Sequence, residues 1–130
     1  MAFAQAGMDI PIMGTTHADH THHDIPCAKV LSDEMIKGDY EYETGNQIFD
    51  CFRANGLFYR EVEMILLQNH GSFTWGKDAA KAVYNAGILE EIAKMAHLTL
   101  QLNPHTPRLK ETLRTKHFER KHGKNACYGQ

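Results

Sequence analysis

Apolar positions along the chain gather with a helical period in two stretches and run together in a third. Between positions 44 and 55, Ile48, Phe49, Phe52 and Cys51 fall on one side of a helix, and Asn55-Gly56 supplies a stop. From Ala79 to Leu102, Val83, Ala86, Leu89, Ile92, Ala93, Ala96 and Leu100 make one stripe, Asp78 is placed to cap it, and Gly87 offers close approach to another element. The run Val62 to Leu67 predicts a buried strand entering a loop at Asn69-His70-Gly71, and Phe73-Thr74-Trp75 a second strand ended by Gly76. Pro107 opens a last helix, 108–122, and Gly123 closes it. Ser32 caps a short helix through Ile36, ended by Gly38. Residues 1–31, rich in Gly, Pro, Thr and His, read as loops and short strands, although Ala2 to Gly7 has the small-residue character of a helix interior. Strands mixed with amphipathic helices predict an α/β layer arrangement in one domain spanning 1–130.

Composition narrows the function classes. The hydrophobic fraction is 42%, that of a globular chain, and 16 acidic against 14 basic residues leave no basic face for nucleic acid or an anionic membrane. No apolar run is long enough to span a bilayer, and the first twelve residues lack the basic start of a signal peptide. Cys27, Cys51 and Cys127 are odd in number and far apart, so they read as reduced thiols of a cytoplasmic protein. Nine histidines are an excess, and His17, His20, His22 and His23 fall within seven positions.

Four constellations carry candidate chemistry, each with a plainer reading beside it. Gly14-Thr15-Thr16-His17-Ala18-Asp19 is a loop-type segment with a hydroxyl, an imidazole and a carboxylate, able to orient a substrate and move protons, or simply to form a turn. His17, His20, His22 and His23 are either metal ligands or an exposed run without a structural-zinc spacing. His70 stands at a strand end beside glycine, where α/β proteins place sites, or is a loop histidine. His117 and Arg120 lie one helical turn apart and can hold an anion, or belong to a solvated helix.

Taken together, Phe3–Gly7, Gly14–Asp19, Ile25-Pro26-Cys27, Gly38–Asn46, His70-Gly71-x-Phe73-x-Trp75-Gly76-Lys77, Leu89-Glu90-Glu91, Lys116-His117-x-x-Arg120-Lys121-His122-Gly123 and Tyr128-Gly129-Gln130 resemble the L-ribulose-5-phosphate 4-epimerases of the class II aldolase family. The likeness runs in order over essentially the whole chain. It implies a central, mainly antiparallel sheet between helical layers, and a homotetramer with active sites at subunit interfaces. It implies zinc held by three histidines, of which His70 matches one. The other two belong to a His-Thr-His element that this sequence lacks, as it lacks the phosphate-holding loops. The resemblance therefore implies a domain incomplete at its N-terminus and inactive alone. In the intact family, L-ribulose 5-phosphate and D-xylulose 5-phosphate interconvert by metal-assisted retro-aldol cleavage and re-addition, which inverts C4. By the same resemblance Asp19 and Tyr128 are proton shuttles on the two faces, and Thr15 and Glu41 support the site. His117 and Arg120 approach the substrate from a neighbouring subunit, as does Tyr128. Two other outcomes stay open: a class II sugar-phosphate aldolase, and a non-catalytic remnant that binds or builds. The run from Gly14 to Asp19 and the Tyr-Gly-Gln end speak against the aldolase.

Overall fold

The architecture follows from a computed structural model, which describes residues 1–124 and 126. Its centre is a three-stranded sheet in the order β1 (Cys27–Ala28), β2 (Met64–Leu67), β3 (Gly71–Thr74). The sheet is mixed. The β1–β2 pair is parallel, with Cys27 opposite Leu66, and the β2–β3 pair is antiparallel, with Met64 opposite Thr74. The expected mainly antiparallel character thus holds for one pairing of two among the described residues. All four residues of β2 are buried, as a strand flanked on both edges and covered on both faces must be.

Side chains of β2 alternate between two apolar clusters. Met64 and Leu66 face α1 (Ala2–Ala6) and α5 (Ala79–Leu102), where they pack with Phe3, Leu89, Ile92, Ala93 and Ala96. Ile65 and Leu67 face α4 (Tyr40–Ala54), packing with Phe52, Leu31 and Val62. Helices therefore cover both faces of the sheet. Each fully buried aliphatic side chain in these clusters contributes roughly 1.5–3 kcal/mol relative to exposure.

Caps set the helix starts. Asp78 accepts from the Lys81 amide at 2.7 Å, so α5 runs over the expected residues. Ser32 accepts from Met35 N at 3.3 Å and starts α3 (Asp33–Lys37). Asp39 accepts from Tyr42 N at 3.4 Å, which starts α4 four residues before the apolar pattern does. The last helix, α6 (Glu111–His122), begins later than Pro107 suggests. Leu109 N donates to Ile12 O and Arg108 is tied to Asp24, so these residues are held outside the helix.

Several expectations within residues 1–31 and along the helices need correction. The segment Gly14 to Asp19 is not a loop but carries a single helical turn, α2 (Thr15–Ala18), closed by Asp19 N donating to Thr15 O at 2.8 Å. The first residues form α1, in line with their helical character. Val83 (73% exposed) and Phe49 (71% exposed) face away from the core although each lies on its apolar stripe. Asn85 takes the buried place near Val83, its amide donating to Trp75 O at 2.7 Å and to Glu63 Oε2 at 2.8 Å. Among the described residues Gly87 has no neighbour near its missing Cβ, so none of them makes the expected close approach there. That role falls to Gly7, at φ 64°, where a Cβ would collide with the Gln68 side chain. Among the described residues no helix is long and apolar enough to cross a membrane.

Candidate functional site

Asp19 closes α2 and faces α6, nearly one hundred residues later in the chain. His117 Nδ1 donates to its Oδ1 at 2.9 Å, and Arg120 donates to both oxygens at 3.2 and 3.3 Å. Lys121 Nζ lies 3.5 Å from Oδ2, and His122 Nε2 donates to the Asp19 carbonyl at 3.0 Å. The spacing explains the convergence: His117, Arg120 and Lys121 lie one helical turn apart on one side of α6. The Asp19 side chain is only 16% exposed. Burial alone would oppose its ionisation. The hydrogen bond from His117 and the charges of Lys121 and Arg120 outweigh it, so its pKa lies below the ordinary value. At neutral pH Asp19 is a carboxylate, a proton acceptor held in one orientation.

The structure thus joins three of the residues singled out in the sequence. His117 and Arg120 meet Asp19 of their own chain. Lys121 and His122 belong to the same cluster; the sequence quoted them within the motif around His117 and Arg120 without assigning them a role. Thr15 opens α2, half-buried, and Glu41 lies exposed in the first turn of α4. Tyr128 lies outside the described residues.

His70 sits in a different cluster, at the tight turn from β2 to β3. The turn needs a left-handed residue at Asn69 (φ 62°) and extended positive φ at Gly71 (156°). The imidazole lies between the rings of Tyr40 and Phe73, at centroid distances of 6.0 and 5.3 Å. Its Nδ1 is 2.7 Å from the Tyr40 hydroxyl. That bond fixes the ring and leaves Nε2 as the nitrogen open to a ligand, the arrangement typical of metal-bound histidine. A metal centre needs more than one such donor. Among the described residues no group of three His, Cys, Asp or Glu side chains is placed to hold a metal. His70 suits one ligand position, and these residues do not complete a zinc site.

The histidine run does not converge either. His17 is buried, and its Nε2 donates to His23 O at 3.0 Å. His22 Nε2 meets Thr115 Oγ1 at 3.0 Å, and the His20 ring packs on Tyr84. Burial lowers the pKa of His17 to about 4, against the support of its bond to His23. Burial, then the charges of Lys121 and Lys81, lower His20 to about 4 as well. These imidazoles are neutral pegs between α2, α5 and α6.

Residues 1–97 match the family model described as Class II Aldolase and Adducin N-terminal domain. Over 134 aligned positions, covering 99% of this chain, the sequence is 48% identical to L-ribulose-5-phosphate 4-epimerase UlaF of Salmonella paratyphi C (strain RKS4594). The same identity and coverage hold for the protein of that name from Salmonella choleraesuis (strain SC-B67). The alignment covers 56% of each relative, so the chain spans about half the length of the curated relatives it matches.

Proposed function

From the premise that the chain belongs to the class II aldolase and adducin family, we propose that it is the acid–base half of an L-ribulose-5-phosphate 4-epimerase. The observation that carries the reading is the Asp19 carboxylate, ionised and oriented by His117, Arg120 and Lys121. The reaction interconverts L-ribulose 5-phosphate and D-xylulose 5-phosphate by breaking and re-forming the C3–C4 bond. Asp19 takes and returns the proton on one face of the released aldehyde, and Tyr128 serves the other. Arg120 and His117 hold Asp19 at rest and approach the substrate when it enters. Thr15 and Glu41 support the site.

His70 offers Nε2 as one zinc ligand, positioned through Nδ1 by Tyr40. A divalent metal held by His70 and a set of further ligands would supply Lewis-acid stabilisation of negative charge there. One imidazole does not make that set, so the 130-residue chain is inactive alone. The working protein is a cytoplasmic homotetramer.

The test is a coupled assay for D-xylulose 5-phosphate on two proteins. One is this chain, and the other is this chain completed with the part of a Salmonella UlaF relative that lies outside the match. Only the completed protein should turn over, and Asp19→Asn should reduce its turnover by about 10²-fold or more while its zinc content stays normal. Loss of zinc in that variant would make Asp19 a ligand and defeat the assignment. A completed protein that folds and binds zinc yet leaves L-ribulose 5-phosphate untouched would defeat the function.

A further inference from the structure

Arg114 occupies α6 one turn before His117, but it lacks what the cations around Asp19 have. Its only ion-pair partner among the described residues is Glu111 at 3.9 Å, whose side chain is 82% exposed. Arg114 itself is three-quarters buried, and its Nε is buried without a hydrogen-bond partner among those residues. One of its donors, Nε, has given up water without a partner, which is costly, and the remaining donors are free to face a ligand in the adjoining cavity.

Arg114 lines a cavity of about 300 Å³ together with Asp9, His23, Asp24, Asn55 and Arg108. Both acids of that cavity already have partners. Asp24 takes Arg108 through Nε and an Nη, both at 2.7 Å, and accepts from Ile12 N at 2.8 Å. Asp9 accepts from Cys27 N at 2.7 Å and lies at the exposed side. The charge of Arg114 is felt by His22, whose pKa is lowered first by burial and next by this arginine.

We infer that the cavity at Arg114 is an anion subsite, in which the guanidinium holds the oxygens of a small oxyanion, a carboxylate or a phosphate. The planar fork of arginine matches two oxygens of either group. The volume admits a compact polar molecule. The two aspartates at its walls disfavour a polyanion and select a single negative group. The subsite is separate from the Asp19 carboxylate and from His70, and stands whether or not the proposed reaction does.

The experiment titrates the 130-residue chain with sodium phosphate and, separately, sodium acetate. Sodium chloride keeps ionic strength constant, and NMR follows the ring signals of His22 and His23. Saturable shifts at these two residues are expected, with an upward move of the His22 titration as the anion offsets the arginine. Saturation by phosphate alone assigns a phosphate group, and saturation by acetate a carboxylate. Arg114→Gln should weaken binding about tenfold or more. Arg114→Lys, which keeps the charge but loses the fork, should weaken it less and guards against a folding defect in the first variant. Shifts that never saturate with either anion, or that persist undiminished in Arg114→Gln, would overturn the subsite.

Discussion

The sheet with α4 and α5 and the contact between α2 and α6 are held together by opposite means. Around β2 the contacts are apolar on both faces, and Ile65, Leu67, Met64 and Leu66 are buried. At α6 no residue is buried. That helix docks through Asp19, His22 and the cations and imidazoles facing them. The first region draws on the hydrophobic effect, which is nondirectional and nearly indifferent to pH and salt. The second draws on charge-assisted hydrogen bonds, which are directional, respond to protonation and weaken with screening. The candidate proton acceptor Asp19 lies where the structure is held by polar contacts, and such a region opens at lower cost than a core, whereas the candidate ligand His70 sits at the sheet.

The sharpest way to break this contrast is to damage the sheet. Ile65→Ala removes a fully buried side chain and should destabilise the whole chain by about 2–5 kcal/mol in denaturant unfolding. The α6 signals should vanish in the same transition. A separate, earlier loss of the sheet would mean that α6 holds the core together instead.

The next effect is pH. Folded His17 takes up its proton near 4, whereas the unfolded imidazole does so near 6.5. Between those values the unfolded state binds more protons, so stability falls as pH falls from 6.5 toward 4. The loss is on the order of 3 kcal/mol for this group, and His20 adds to it in the same direction. Asp19, whose pKa is lowered, contributes stability at and above the ordinary carboxylate range and loses it as pH drops below. His17→Gln, which keeps a donor for His23 O, should flatten the profile between pH 6.5 and 4. An unchanged slope would mean that His17 is protonated in the folded chain.

Asp19→Asn should cost about 1–3 kcal/mol, confined to α6. Hydrogen exchange should quicken at Glu111–His122 and stay slow at Met64–Leu67. Salt near 1 M should mimic part of this effect in the wild type and do little more in the variant. Equal quickening in both regions would dissolve the distinction between them. Smallest of all, Val83→Ser should change stability by less than about 0.5 kcal/mol, since Val83 is 73% exposed. A larger loss would reveal that this face of α5 is covered.

What the sequence determined by itself was local. Asp78 and Ser32 announced their helices because a cap needs only the next three residues, and the run ending at Leu67 announced β2 because a strand buried on both faces is continuously apolar. The ordered motifs likewise marked the family, and offered Asp19, His70, His117 and Arg120 as candidates. The tertiary structure decided everything that joins distant positions. The mixed character of the sheet depends on β1, two residues too short to announce themselves, pairing parallel to β2 while β3 pairs antiparallel. The stripe of Leu89, Ile92, Ala93 and Ala96 did announce the side of α5 that meets the sheet, but not that Asn85, bound to Trp75 O and Glu63, would take the buried place near Val83. The histidine run became a set of separate pegs because His20 and His22 met Tyr84 and Thr115 on other helices while His17 turned to the His23 carbonyl. Asp19 became an oriented carboxylate only when α6 folded back across the chain, since hydrogen bonds between residues about a hundred positions apart leave no periodic trace in sequence.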